Sequence, residues 1–418
     1  MSSQGSSVTI RRLSRQEVDL ICAKHDRLWQ SRPGGARAVL SWTNLSDFDL
    51  SGRNLADADL TGAILHNANL SGTRLDHANM FGADLQGCNL TNASLKRADL
   101  RGACLRGANL TNADLFECDL REGSIAAYDE IKGLRVLSPA KHASEAQGAI
   151  LMGANLERSK LSGMVAMRAD FTDAVLKDAK LVRANLKQAK MHGADLAGAD
   201  LSGADFSGAD LTDAILVGAK TMMCRFDDAD MAGALTDTVS GKSVSDLPYD
   251  QMLKDHALWC ETDGAQGKPS IFDGADLRKL SSIGGLNLTA LSAKGAVFYG
   301  LNMEGVQLQG ARLEGADMRA CRLRRADLRG ARLAGAKLTG SDLREALLGP
   351  LLIGSNRILP SDLTGASLKG ADCSGADLRH ARLTNADLSR ANFTGALMKQ
   401  VEITGAQLHG ARGLGNIF

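Results

Sequence analysis

Residues 194–210 read Ala-Asp-Leu-Ala-Gly-Ala-Asp-Leu-Ser-Gly-Ala-Asp-Phe-Ser-Gly-Ala-Asp. The unit Ala-Asp-Leu-x-Gly recurs every five residues, and neither regular element accepts that period. At about 100° per residue a helix spreads the leucines around its circumference, and in a strand successive leucines fall on opposite faces. They share an inside only if the chain turns a corner about every fifth residue.

With the leucine called position i, alternation sends i and i−2 inward, which are Leu and Ala, while i−1 and i+1 point outward. The corner falls near i+2, where Gly, Asn and Asp tolerate turn backbone angles. The result is a solenoid with Leu and Ala inside and charge outside. On these residues the sequence resembles the pentapeptide-repeat family, whose pattern is A(D/N)LxX. The resemblance covers most of the chain and implies an all-β solenoid, a right-handed quadrilateral parallel β-helix in which residues twenty apart stack.

The 418 residues are 44% hydrophobic but only 4% aromatic, with 45 Gly and a net charge of +1. Few aromatics suit disorder, but a leucine in each unit gives every coil something to bury. Near-neutral charge supplies no whole-protein attraction to nucleic acid or membrane. Residues 1–12 carry no apolar run of signal-peptide length, and no stretch is apolar enough to cross a bilayer, so a cytoplasmic, bacterial protein is expected. The eight cysteines form no CxxC pair. Cys88, Cys118, Cys224 and Cys321 sit at i−2 and Cys373 at i, which predicts buried reduced thiols rather than disulfides or zinc ligands.

The expected organisation is a helical cap over residues 1–37, repeat block one over 38–125, a loop insertion over 126–150, block two over 151–235, a helical insert over 236–271 and block three over 272–418. Ser14 and Glu17 form a capping box ahead of the stripe Val18, Ile21, Cys22, His25, Leu28 and Trp29. Tyr249, Met252, Leu253, His256 and Trp259 reproduce the spacing from Val18 to Leu28, which reads as a duplicated unit of helix followed by β-helix. Ile131, Leu134 and Val136 are expected to tuck the insertion against the solenoid. Met164 with Ala166, and Leu291 with Ala293, read as large-small exchanges within filled coils. Ile353 and Ile358 stay in phase and read as centres of one coil distorted by Pro350 and Pro360. The blocks hold about fifteen coils, roughly 70 Å if continuous at strand spacing.

Catalytic signatures are missing: there is no GxSxG, HExxH or GxGxxG, and the string 236–243 lacks the opening Gly of a phosphate loop. No enzyme, cofactor or metal is expected, and His25 and His256 read as packing histidines. Asp195, Asp200, Asp205 and Asp210 place one carboxylate on each side of a coil, with Asp230 stacked on Asp210, as a candidate acidic face. Residues 283–418 carry 17 basic against 11 acidic residues. There Arg319, Arg322, Arg324, Arg325, Arg329 and Arg332 crowd less than one coil, Arg312 stacks beneath Arg332, and Arg324 beneath Arg344. These eight arginines are the candidate partner-binding patch; aromatics to stack single-stranded bases are absent around them.

The functional expectation is a non-enzymatic scaffold for protein–protein interaction on a rigid rod, with protein partners and no sequence-specific nucleic-acid binding. The alternative, implied by the resemblance, is a DNA mimic acting on gyrase or another topoisomerase. Against it, the chain is neutral, long, basic in its last third and interrupted by helices. A third reading is an exported effector. A homodimer would join through the last coil at Leu414, Ile417 and Phe418.

Overall fold

The computed structural model describes residues 10–123, 126–129, 133–136, 143–239, 242–243, 246–280, 282–354 and 357–415. Two compact units divide the chain, Met1–Thr238 and Val239–Phe418. Each is a right-handed quadrilateral β-helix.

One five-residue cycle explains the coil. At Leu60 the chain is extended and its amide donates to Asn79 of the next coil at 2.7 Å. Gly62 then takes φ 60° and Ala63 donates back to the Leu60 carbonyl at 3.0 Å, closing a corner. A turn with positive φ at its third residue has the type II sense and suits Gly or Asn there. Repeated four times, this returns the chain to the same side after twenty residues. Strand positions therefore pair in parallel at i and i+20, as in Asn69 with Asn89 and Asn89 with Asn109. Leu at i and Ala at i−2 fill a dry interior, and nearly all are fully buried. The large-small exchanges also close, since Met164, Ala166, Leu291 and Ala293 are all buried.

Each unit begins with the same cap. In the first, β1 (Arg11–Arg12) pairs in parallel with β2 (Thr43–Asn44) and flanks α1 (Arg15–Trp29). The Ser14–Glu17 capping box is present, and Val18, Cys22 and His25 are buried, while Leu28 and Trp29 lie at the surface. In the second, β5 (Lys242–Ser243) pairs in parallel with β6 (Ala275–Asp276) and flanks α2 (Tyr249–Glu261). Correspondence extends to single bonds. Ala36 N–H donates to Lys24 O at 3.0 Å, and Lys268 N–H to Asp255 O at 3.1 Å.

The interruptions obey the period. From Cys104 through Asp119 the ladder step to the following coil is 41 residues, as in Cys104 with Glu145, instead of 20. The 21 extra residues are one more than a multiple of five, which moves the leucines one position along. They include the antiparallel pair β3 (Ala126–Asp129) and β4 (Gly133–Val136). Coil structure resumes at buried Ser144 and Ala146, one repeat before Leu151, because a small centre hides that repeat from a leucine count. Ile131 lies outside the described residues, as do the side chains of Leu134 and Val136.

In the second unit the ladder steps 30 residues from Arg332 to Asp362. Ten extra residues equal two repeats, so the register survives although the chain leaves the coil. Ile353 and Ile358 are accordingly not coil centres but exposed members of a hairpin, β7 (Leu351–Leu352) against β8 (Ile358–Leu359).

Candidate interaction surface

The outward aspartates are tied to their own corners. Oδ1 of each accepts from the backbone amide two residues on: Asp195 from Ala197 at 3.1 Å, Asp200 from Ser202 at 3.1 Å, Asp205 from Ser207 at 3.0 Å, Asp210 from Thr212 at 3.0 Å and Asp230 from Ala232 at 2.9 Å. The Ser202 hydroxyl and amide hold Asp200 below the usual carboxylate range. At Asp205 and Asp210 partial burial pushes upward, but hydrogen bonds from Ser207 and Thr212 outweigh it and both are lowered. All five are turn fasteners, and at Asp200, Asp205 and Asp210 the same hydrogen bonds favour the ionised form.

Stacking at twenty residues decides what surrounds them. Asp210 does sit below Asp230, above Lys190. Asp195 lies between Val175 and Ile215, Asp200 between Lys180 and Lys220, and Asp205 between Asn185 and Arg225. Ion pairs follow, including Lys177–Asp195 at 3.1 Å, Lys187–Asp205 at 3.3 Å and Lys220–Asp200 at 4.0 Å.

The eight arginines divide by the same geometry. Successive i−1 positions occupy successive sides, so Arg312 and Arg332 stack on one side and Arg322 lies on the opposite one. Arg324, Arg325 and Arg344 gather at the corner following Arg322, where Glu345 accepts from Arg324 and Arg325, each at 2.7 Å. Those two hydrogen bonds hold Glu345 below the usual range, and the Asp342 carboxylate holds Arg344 above its usual value. Arg319 is buried in a fork on Asp317, and Arg329 forks onto Asp327, each with its shortest contact at 2.6 Å.

This fork recurs wherever Asp at i−1 is followed by Arg at i+1: Asp99–Arg101, Asp119–Arg121, Asp276–Arg278, Asp342–Arg344 and Asp377–Arg379. The signal was present in sequence as Asp-Leu-Arg, or Asp-Met-Arg at 317–319, and marks which cations are already partnered. Arg312, Arg322 and Arg332 stand instead at i−1, are exposed, and form no ion pair among the described residues.

The remaining candidates carry no reactive chemistry. Burial pushes the Cys88 and Cys321 thiols up to about 12, and raises Cys118 and Cys373 further. No His, Cys, Asp or Glu cluster suited to a metal occurs among the described residues. His25 and His256 are fully buried, each with Nδ1 accepting a backbone amide, from Ala38 at 3.1 Å and from Ser270 at 2.8 Å. Leu414 packs partly buried against the second core, and Ile417 and Phe418 lie outside the described residues. Among the described residues no helix is long and apolar enough to cross a membrane.

A parallel solenoid with a five-residue corner and a Leu/Ala interior defines a class, and the sequence comparison agrees with it. Eight copies of the family described as pentapeptide repeats match residues 38–76, 78–115, 149–188, 189–220, 284–319, 311–348, 361–400 and 376–412. The chain belongs to the pentapeptide-repeat family. Among solved structures, HetL from Nostoc sp. strain PCC 7120, a pentapeptide repeat protein involved in heterocyst differentiation regulation, is 23% identical, covering 91% of this chain and 95% of its own, with a TM-score of 0.19. Rfr23 from Cyanothece 51142 is 25% identical over 33% of this chain and 91% of its own, with a TM-score of 0.25. Full-length QnrB1, a plasmid-mediated fluoroquinolone resistance protein, is 19% identical over 47% and 92%, with a TM-score of 0.19. No curated protein matches the chain.

Proposed function

We propose that the protein is a non-enzymatic scaffold whose β-helical units display binding surfaces for protein partners. The observation that supports this is the division of labour along the repeat. The interior is a dry column of Leu and Ala, while i−1, i+1 and i+2 vary freely on a rigid lattice. The basic corner of Arg322, Arg324, Arg325 and Arg344 is the surface assigned to an acidic partner, since Arg322 is unpaired and Glu345 alone bridges Arg324 and Arg325. The buried thiols suit a reducing cytoplasm.

The topoisomerase reading, which calls for a continuous duplex-like acidic face, is favoured less, because all four central aspartate columns are broken by a cation or an aliphatic residue. A homodimer through the coil at Leu414 is part of the same proposal. The test is capture from lysate of the source organism by wild type and by a variant with Arg322, Arg324, Arg325 and Arg344 changed to Glu, with solution mass measured in parallel. Partners lost from the variant support the assignment. An identical partner set in both removes the basic corner from it, and a single 44.1 kDa species removes the dimer.

A further inference from the structure

We propose that the β7–β8 hairpin, with the edge of the second unit from which it rises, docks the protein onto an anionic lipid surface.

The hairpin is built to present its outer face. Leu351 pairs with Leu359 and Leu352 with Ile358, so alternation puts one pair against the coil and the other away from it. The inner pair rests on Gly330, where an added Cβ would lie 2.8 Å from Leu351 Cβ and 3.2 Å from Leu359 Cδ2. Beneath it, the buried Ser361 hydroxyl donates to Leu328 O at 2.9 Å and accepts from Gly330 N–H at 3.1 Å. The base is therefore fixed. The outer pair is not covered: Leu352 is 67% exposed and Ile358 48%, with Ile353 beside them at 39%.

The edge continues this character. Leu347 and Leu397 occupy one strand column on the side that leads into the hairpin, and both are exposed. Five of the eight exposed large hydrophobic residues described in the second unit thus share one edge and its hairpin. Around them stand cations with no ion pair among the described residues: Arg332, two residues beyond Gly330, Arg312, two beyond Gly310, whose added Cβ would lie 3.9 Å from Leu351 Cδ2, Arg357 on the hairpin and Lys399. Of the nearby carboxylates, Asp327 is engaged by Arg329, Asp377 by Arg379 and Asp362 by Thr364, while Glu314, two residues after Arg312, forms no ion pair among the described residues.

The occupant follows from shape and composition. The exposed large side chains described on the hairpin, Leu352, Ile353 and Ile358, are aliphatic and include no aromatic anchor of the kind that concentrates energy in protein interfaces. A bilayer interface yields to such a hairpin, takes up Leu and Ile at the acyl boundary, and offers phosphates that guanidinium groups bind as forks. The corner assigned above to a protein partner involves other residues, so the two ideas fail separately.

Flotation of the full chain with phosphatidylcholine vesicles, with and without phosphatidylglycerol, tests this. Wild type is expected to float only with the anionic vesicles. The pair Leu352→Glu with Ile358→Glu, and the pair Arg312→Glu with Arg332→Glu, are each expected to lower partitioning about tenfold or more. All four side chains are outside the core, so unchanged thermal melting confirms folding. The fluorescence that Leu352→Trp adds over the three native tryptophans should be quenched by lipids brominated in the acyl chain. Failure of wild type to float, flotation unaffected by the hairpin pair, or no quenching of that added fluorescence in bound protein each overturns the proposal. So does hairpin-dependent capture of a protein without vesicle binding.

Discussion

Lowering the pH from 7 to 5 is expected to destabilise both units, through one histidine in each cap. His25 and His256 use Nδ1 to accept an amide hydrogen, so the neutral ring carries its proton on Nε2. A second proton would oppose one N–H to another and place a charge in a fully buried site. Burial accordingly leads in pushing both histidines below their ordinary value. It outweighs the opposing backbone groups of Ala56 and Thr289 and, at His25, the carboxylates of Asp26 and Asp57; Arg37 adds to the lowering. The sign follows from proton counting. Between the folded value and about 6.5 the unfolded chain binds the extra proton and the folded unit does not, so stability is full above that range and falls as pH falls.

Each site can contribute a slope of at most about 1.4 kcal/mol per pH unit, over a window that opens near pH 6.5 and closes at the folded value. Carboxylates with lowered values, such as Glu17 and Asp119, act in the same direction, but their window begins near pH 4.5 and leaves this range to histidine. Urea unfolding at half-unit pH steps measures the slope. In the His25→Gln, His256→Gln double variant, Gln supplies an acceptor that does not titrate, and the slope should vanish whatever the baseline loss. A wild-type slope near zero, or one that survives the double variant, would refute the reasoning.

Two further outcomes test the caps and the period. Gly267 has φ 72°, and a Cβ there would stand 2.1 Å from Asp255 O, so Gly267→Ala should cost the second unit a few kcal/mol in chemical denaturation while leaving the first nearly unchanged. Deleting residues 350–359 together with Pro360→Gly, since residue 360 then takes a corner that needs positive φ and an N–H, removes ten residues from a 30-residue step and restores 20, so the second unit should keep its circular dichroism and melt within a few degrees of wild type, whereas deletion of nine should unfold the coils that follow.

The interior was readable because each repeat states its own burial. Leu196 and Ala194 occupy the inward positions of the repeat; at i−2 the interior also admits a small Ser or Thr whose hydroxyl bonds a coil carbonyl, as Ser159 does to Leu156 O at 2.6 Å, so size and period together place these residues inside. The caps were readable too: Ser14 and Glu17 satisfy amides that a helix start always leaves open, and the spacing around His25 recurs around His256. Where reading stopped at the leucines, it missed Ala146, whose small side chain is equally buried. Ile353 and Ile358 show the converse. Phase alone cannot distinguish two more repeats from an excursion ten residues long, because both preserve the count modulo five.

The outer surface obeys a different distance from the one in which the chain is written. Arg319, Arg322, Arg324, Arg325, Arg329 and Arg332 are neighbours in sequence, yet fourteen residues span most of a circuit and carry them past three corners. Their neighbours in space lie twenty residues away, or 30 across the hairpin and 41 across the first insertion. Arg332 meets Arg312 and Asp362 by this rule, and Asp200 meets Lys180 and Lys220. A charge run within one coil therefore dilutes itself around the solenoid, and a true patch must be assembled from residues that look unrelated in sequence. Within the coil the decisive local cue is two residues long. Asp at i−1 with Arg at i+1 closes a fork, as at Asp317 and Arg319, while Arg at i−1 is fastened locally where Asp stands at i+1, as at Arg74–Asp76 and Arg225–Asp227, and Arg312, Arg322 and Arg332 have no Asp there. Counting i−1 arginines down each side, with insertion lengths added to the step, is what separates available cations from fastened ones, and it selects Arg312 and Arg332 beside the hairpin and Arg322 on the opposite side.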